Sequence, residues 1–583
     1  MIQSSAVTGA RQPSGPRMRV ALGMIGLSAE RRRRLTHRAL PALGGLALVA
    51  GGAGMVVGSQ AQSSSQRTAG EFAEAWERGD YGAMYDMLDD ASREVHTRRE
   101  FRDAYRAAAA TATATAVEAG DPEGERDGSV PIPVEVKTRV FGTVRAKLRL
   151  PVHDEQVTWG PLLAFPGLRR GEALARASEP PERAPLLSRN GKVLAEGPAA
   201  ARSSPLEAVA GSIAGTLMPE ETTAERRAVY ARGFPRDWPT GQNGLEHAFE
   251  DRLAGRPGGR LFAGDRVIAE ARPRAAPPVR TTMDTRLQEA AVTALAGRFG
   301  GIAALDARNG EIRALAGLAF SGPQPPGSTF KIVTATAALE QDLVKPTTRF
   351  PVESHALIDG VELQNANGEF CGGTFRNSFA HSCNSVFGPL GVKVGAEALV
   401  DASERFGWNQ RPTVAGEVPS TLPPASEIES DLEIASTAIG QFRTLATPLV
   451  MASVAQTIAA GGVRYLPTLT LGERTDRVRV TSKEVARTIE SLMVDVVEYG
   501  TGTAAALPGV KVAGKTGTAE LEDTRDPETG ETAPSDPSNT DAWFTAYAPA
   551  ARPELAVAVM LVRAGAGGAT AAPAARVVLD AAL

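Results

Sequence analysis

A chain of 583 residues is long enough for two or more domains of ordinary size. A net charge of −4, with 22% of residues charged, offers no basic surface for nucleic acid. Two cysteines cannot make a disulfide framework, and six scattered histidines form no metal-binding motif, so no metal or other cofactor is expected.

In chain order, Arg31 to Arg34, His37 and Arg38 precede an uncharged stretch over 39–58. That is about the 20 residues a helix needs to cross a bilayer. Basic residues before the stretch put the N-terminus inside and the bulk of the chain outside the cytoplasm. We read 1–38 as a cytoplasmic tail and 39–58 as an uncleaved transmembrane anchor; a cleaved export signal ending near Ser59-Gln60-Ala61 is the alternative. After a polar tether, Phe72, Ala75, Trp76, Met84, Tyr85 and Leu88 recur at helical spacing. Residues 130–136 and 140–150 then read as strands, the second alternating Val144, Ala146, Leu148 and Leu150. Residues 154–278 are rich in Pro, Gly and Arg.

From 279 onward the pattern sharpens. Apolar runs at 302–305 and 312–315 flank Asn309-Gly310, a strong hairpin signal. Residues 332–339 are apolar nearly all round, as in a buried helix. Three more strands are expected over 510–518, 543–548 and 555–562. Strands at both ends of this segment, with helices between, imply a sheet covered by helices.

The chemistry centres on Pro326-Gly327-Ser328-Thr329-Phe330-Lys331, which contains the chain's one Ser-x-x-Lys. A serine hydroxyl is a poor nucleophile until a base takes its proton. Residues i and i+3 of a helix share a face, so Lys331 brings an amine to the side of Ser328. Nine of the 63 basic residues are lysine. Arginine keeps its proton at workable pH, whereas a desolvated lysine releases it, so a lysine kept here suggests a role. The plainer alternative is a helix-capping serine followed by a solvated lysine. Two further motifs follow: Ser382-Cys383-Asn384, and Lys515-Thr516-Gly517-Thr518 at the strand over 510–518. Ser-x-Asn alone is weak, and Ser188-Arg189-Asn190 repeats it by chance. Cys371 and Cys383 could pair in an oxidising compartment; the sequence leaves that open.

Ser-x-x-Lys, Ser-x-Asn and Lys-Thr-Gly in this order resemble the penicillin-binding proteins and serine β-lactamases. Residues 282–288, 305–312, 438–441, 446–449 and 500–503 are similar to the class B, monofunctional transpeptidases. Residues 69–81 and 159–168 resemble the nuclear-transport-factor-2-like domain, and its join, of the methicillin-resistance type. Residues 187–195 and 244–253 resemble the pedestal, or dimerisation, domain of class B proteins, the first in a worn form. The resemblance implies an α/β transpeptidase sandwich over 279–583, an antiparallel sheet flanked by helices. A cone-shaped α+β domain over 67–153 and a pedestal over 154–278 would precede it.

The implied activity is peptidoglycan D,D-transpeptidation: cross-linking stem peptides that end in D-Ala-D-Ala through a serine acyl-enzyme, with β-lactams as covalent mimics. In that scheme Ser328 attacks, Lys331 takes its proton, and Ser382 relays a proton to the leaving amine. Asn384 binds the substrate backbone; Lys515, Thr516 and Thr518 face its carboxylate; Gly517 lets the strand come close to it. The N–H groups of Ser328 and Thr518 would form the oxyanion hole. A membrane glycan-strand polymerase is the partner that the resemblance suggests. The alternatives are a D,D-carboxypeptidase or β-lactamase-type hydrolase, and a non-catalytic penicillin-binding sensor or scaffold. Glu429-Ser430-Asp431-Leu432 approaches the Glu-x-x-Leu-Asn loop of class A β-lactamases, but Glu433 stands where that loop has asparagine.

Overall fold

Helix-starting chemistry sets up the first domain. Thr97 Oγ1 accepts from Glu100 N while the Glu100 carboxylate accepts from Thr97 N, a reciprocal cap. From it runs a helix over Arg98–Ala112 that buries Phe101, Tyr105 and Ala108, one face at spacings of four and three. In this computed structural model, which describes residues 62–521 and 537–583, that helix is α2, after α1 at Ser64–Glu77. Both lie on an antiparallel sheet of β1 (Ala114–Ala119), β2 (Ser129–Thr138) and β3 (Gly142–His153), with a short strand at Gln156–Val157. The expected alternation holds: Val130, Ile132, Val134 and Val136 pair with Leu150, Leu148, Ala146 and Val144. Val157, Trp159 and Phe165 pack into the same core, and Trp159 Nε1 donates to Tyr105 Oη at 3.3 Å. The tail and anchor expected over 1–58 lie outside the described residues. Among the described residues no helix is long and apolar enough to cross a membrane.

A second, smaller sheet has the order β6-β5-β4, from β4 (Leu174–Glu179), β5 (Gly258–Ala263) and β6 (Arg266–Ala271), with α3 (Thr223–Ala231) between β4 and β5. The long excursion between β4 and β5 packs Leu186, Leu194, Leu245, Phe249 and Leu253 into the main core, and buried charge ties it further. Glu246, fully buried, accepts from Arg183 Nε and Arg202 Nε at 2.7 Å each, and Glu250 accepts from Arg183 Nη2 at 2.8 Å. A buried carboxylate held by two guanidiniums is tolerable only because both its oxygens are paired.

The rest of the chain is built on a five-stranded antiparallel sheet. Its members are β7 (Gly300–Asp306), β8 (Ile312–Gly317), β10 (Ala513–Glu520), β11 (Thr540–Ala548) and β12 (Leu555–Leu561), in the order β8-β7-β12-β11-β10. β9 (Cys371–Thr374) lies apart, paired with a strand at Arg349–Glu353. The sheet's two faces feed two separate cores, as a period of two demands. Ile302, Ala304, Phe544, Val557 and Val559 face α4 (Thr285–Leu295) and the C-terminal helix Gly567–Ala582. Ala303, Leu305, Trp543, Ala556 and Met560 face α5 (Lys331–Glu340), α7 (Pro448–Ala459) and α8 (Lys483–Glu498), with α6 (Asn384–Val394) in the same layer. The result is an α/β sandwich of an antiparallel sheet between helices, with β10 at one edge.

Candidate active site

The site forms where the start of α5 meets the edge strand. Pro326, Gly327, Ser328, Thr329 and Phe330 make a tight 3₁₀ turn that runs into α5. Gly327 takes φ +52°, and a Cβ there would lie 2.6 Å from Thr518 O. Its N–H donates to Gly440 O at 2.9 Å. From the other side, a Cβ on Gly517 would lie 2.7 Å from Pro326 O. The Ser328 turn is thus wedged against β10 at two glycines. Gly517 was expected to let the strand approach a substrate; its open side instead receives the carbonyl of Pro326 and the side chain of Thr329. Ser328 itself is half-buried, and its N–H, in the first helical turn, has no intrahelical acceptor.

Lys331 and Lys515 are both fully buried, and one hydroxyl lies between them. Lys515 Nζ donates to Ser382 Oγ at 2.8 Å, and Lys331 Nζ reaches the same oxygen at 3.3 Å. Lys331 Nζ also donates to Ser382 O and Asn384 Oδ1, each at 2.6 Å. Ser328 Oγ has no hydrogen-bond partner among the described residues, Lys331 included. The spacing put the two side chains on one face, but the amine is drawn to Ser382 and Asn384. Burial, reinforced by the charge of Lys515, pushes Lys331 well below its ordinary pKa. Burial alone brings Lys515 down to about 7. A neutral amine has two N–H groups and one lone pair. The two 2.6 Å contacts use both N–H groups of a neutral Lys331, which leaves the lone pair to take a proton.

Asn384 was expected to offer both an acceptor and a donor to a substrate. Here Oδ1 is taken by Lys331, and Nδ2 donates to Gln364 O at 2.8 Å. One N–H of Nδ2 remains for a ligand. Ser382 stands at φ +61°, a left-handed conformation uncommon for serine, just ahead of α6. Cys371 and Cys383 are joined as a disulfide with Cα atoms 5.4 Å apart, tying β9 to the middle of Ser-x-Asn. Thr516 Oγ1 lies 2.6 Å from Thr501 Oγ1, and Thr518 Oγ1 accepts from Gly567 N at 3.4 Å. The contact of Thr501 with Thr516 went unread in the sequence, although Gly500 to Thr503 had been marked as a family-like stretch. Among the described residues no group of histidines, cysteines or carboxylates could hold a metal ion.

Residues 300–580 match the family described as "Penicillin binding protein transpeptidase domain", and residues 64–172 match "NTF2-like N-terminal transpeptidase domain". The chain thus carries a penicillin-binding protein transpeptidase domain behind an NTF2-like N-terminal domain. It is 37% identical over 300 residues to the peptidoglycan D,D-transpeptidase PbpA of Mycobacterium tuberculosis, a match covering 46% of this chain and 56% of that one. The match thus spans little more than half the length of this relative. Among solved structures, the D,D-transpeptidase domain of an Eggerthella lenta peptidoglycan glycosyltransferase is similar at 28% identity and TM-score 0.55. That likeness covers 69% of this chain and 98% of the other. The ceftriaxone acyl-enzyme complex of M. tuberculosis penicillin-binding protein A is similar at 26% identity and TM-score 0.55, over 69% and 98%.

Proposed function

We propose that this penicillin-binding protein is a peptidoglycan D,D-transpeptidase working through an ester on Ser328, and that β-lactams acylate the same oxygen. The observation that carries it is the hydroxyl of Ser382 held between two buried amines beside the Ser328 turn. Ser328 Oγ attacks the carbonyl carbon of the penultimate D-alanine and gives its proton to the lone pair of Lys331. The N–H groups of Ser328 and Thr518 receive the oxyanion; one such donor is worth roughly 10²–10³ in rate. As the C–N bond breaks, Ser382 passes a proton to the departing D-alanine amine, and Lys331 restores it. Lys515 and the hydroxyls of Thr516 and Thr518 hold the substrate's terminal carboxylate. An amine from a second stem peptide then attacks the ester, releasing Ser328 and forming the cross-link.

A transferase fits better than a hydrolase. Among the described residues no carboxylate hydrogen-bonds Lys331, Lys515 or Ser382 to activate a water. Glu433, the nearest thing to the class A loop, caps its own helix through Glu429 N and Ser430 N. The same proposal places the catalytic domain outside the cytoplasm, behind the anchor expected over 39–58, with a membrane glycan-strand polymerase as partner. The Cys371–Cys383 bond suits an oxidising compartment.

Intact-mass measurement after benzylpenicillin is expected to show one adduct, on Ser328, and none on Ser328→Ala. A depsipeptide ending in D-lactate, incubated with a D-amino acid, is expected to yield the exchanged peptide. Release of the acid alone would make the protein a hydrolase; no adduct at all would end the catalytic reading.

A further inference from the structure

The turn Gly500-Thr501-Gly502, just after α8, is held from two sides. A Cβ on Gly500 would lie 2.3 Å from Ala380 O, and one on Gly568, in the C-terminal helix, 2.3 Å from Thr501 O. Thr501 N donates to Ala380 O at 3.1 Å, and Ala380 stands two residues before Ser382. The side chain of Thr501 is exposed, and its Oγ1 lies 2.6 Å from Thr516 Oγ1. Thr516 is 5% exposed and follows Lys515 directly; its hydroxyl has no second partner among the described residues. Thr501 therefore joins the chain entering Ser-x-Asn to the middle of Lys-Thr-Gly.

A hydroxyl has one proton to give and two lone pairs to receive with. Two hydroxyls 2.6 Å apart thus have two arrangements. In one, Thr516 donates to Thr501, and the Thr501 proton turns to Ala380 O at 3.4 Å. Thr516 then shows a ligand only lone pairs. In the other, Thr501 donates to Thr516, and the Thr516 proton is free. The first satisfies both hydroxyls when the site is empty. An anion docked beside Lys515 is repelled by those lone pairs and favours the second. A hydrogen bond to a carboxylate is the stronger kind, and a hydroxyl that accepts one bond becomes a better donor in the next.

We propose that Thr501 is a positioning residue of the carboxylate subsite: it donates to Thr516 Oγ1 and so turns the Thr516 proton onto the ligand's terminal carboxylate. Thr501 touches no reacting atom. The identity of the ligand, a stem peptide or a β-lactam, rests on the functional reading above. A neutral ester or amide is a weaker acceptor and leaves the pair in its first arrangement, so the pair selects a free acid.

Rates of acylation by benzylpenicillin and by its methyl ester, followed by intact mass, test this. In Thr501→Val the rate with the acid is expected to fall about fivefold more than the rate with the ester. Thr501→Ser keeps the hydroxyl and is expected to restore the wild-type ratio. Because Thr501 acts through Thr516, adding Thr501→Val to Thr516→Val is expected to leave the ratio within about twofold of Thr516→Val alone. Equal slowing of acid and ester would make the turn a structural brace and overturn the proposal. An unchanged ratio in Thr501→Val, or additive losses in the double variant, would overturn it too. If the wild type takes no adduct, the catalytic reading has failed, and binding to Ser328→Ala protein decides the subsite by itself. There N-acetyl-D-alanyl-D-alanine is titrated against its C-terminal amide. A preference for the acid that Thr501→Val narrows supports the proposal; no preference overturns it.

Discussion

Among the described residues Ser382 Oγ is the one oxygen that both buried lysines reach, and its loss removes the hydrogen bond from Lys515 to the Ser-x-Asn motif. Ser382→Ala is expected to slow acylation by fluorescent penicillin by about 10²–10⁴, the usual worth of a positioned proton-transfer group. The lysines themselves are a burden on the fold. Lys515 has its pKa lowered from 10.5 to about 7, so between those values the folded chain holds fewer protons than the unfolded one. The cost of burying it is therefore present in full below about pH 7 and fades as pH rises towards 10.5, a change of about 5 kcal/mol. Lys515→Met removes that titration. In urea it is expected to exceed the wild type in stability at pH 7, by a margin that shrinks towards pH 10.

At the scale of elements, the Cys371–Cys383 bond joins β9 to the cap of α6 and restrains Ser382 in its left-handed conformation. The two cysteines are 12 residues apart, so closing that loop is worth about 2–3 kcal/mol. Replacing both with serine is expected to lower the denaturation midpoint accordingly. It is also expected to slow acylation by more than the stability loss explains, because Ser382 gains freedom. Unchanged acylation would show that α6 alone holds the motif. The bond was not legible in the sequence, since β9 meets Cys383 only through tertiary packing. The three motifs were legible, because their order and the scarcity of lysine reach the eye without a fold. The strands of the main sheet were legible too, as apolar runs in which Trp543 and Phe544, and likewise Ala556 and Val557, feed opposite cores. The helix Arg98–Ala112 was missed among alanines and arginines, although Thr97 and Glu100 spelled its cap.

For the molecule as a whole, the region between the first domain and the transpeptidase domain is held by Arg183, Arg202, Glu246 and Glu250, drawn from scattered parts of the sequence. No periodicity announces such a network, and the sequence offered only composition and the pedestal-like stretches 187–195 and 244–253 in that region. Glu246→Ala would take from two buried guanidiniums the carboxylate they share, leaving Arg183 with Glu250 and Arg202 with backbone carbonyls. We expect it to cost about 3–5 kcal/mol. Hydrogen exchange should localise the loosening to 174–271, and the sheet of β7, β8, β10, β11 and β12 should keep its protection. Equal loss of protection in both regions would make them one cooperative unit.

The depressed pKa of Lys515 also bears on how ligands enter. A carboxylate docking beside that amine must draw its pKa back upward, so at pH 8 complex formation takes a proton from the buffer. Heats of association measured in buffers of different ionisation enthalpy should then diverge, and Lys515→Met should bring them together. Acidification of the medium would favour the docked state, so on the proposed function the capture of a β-lactam carboxylate would depend on the acidity around the protein.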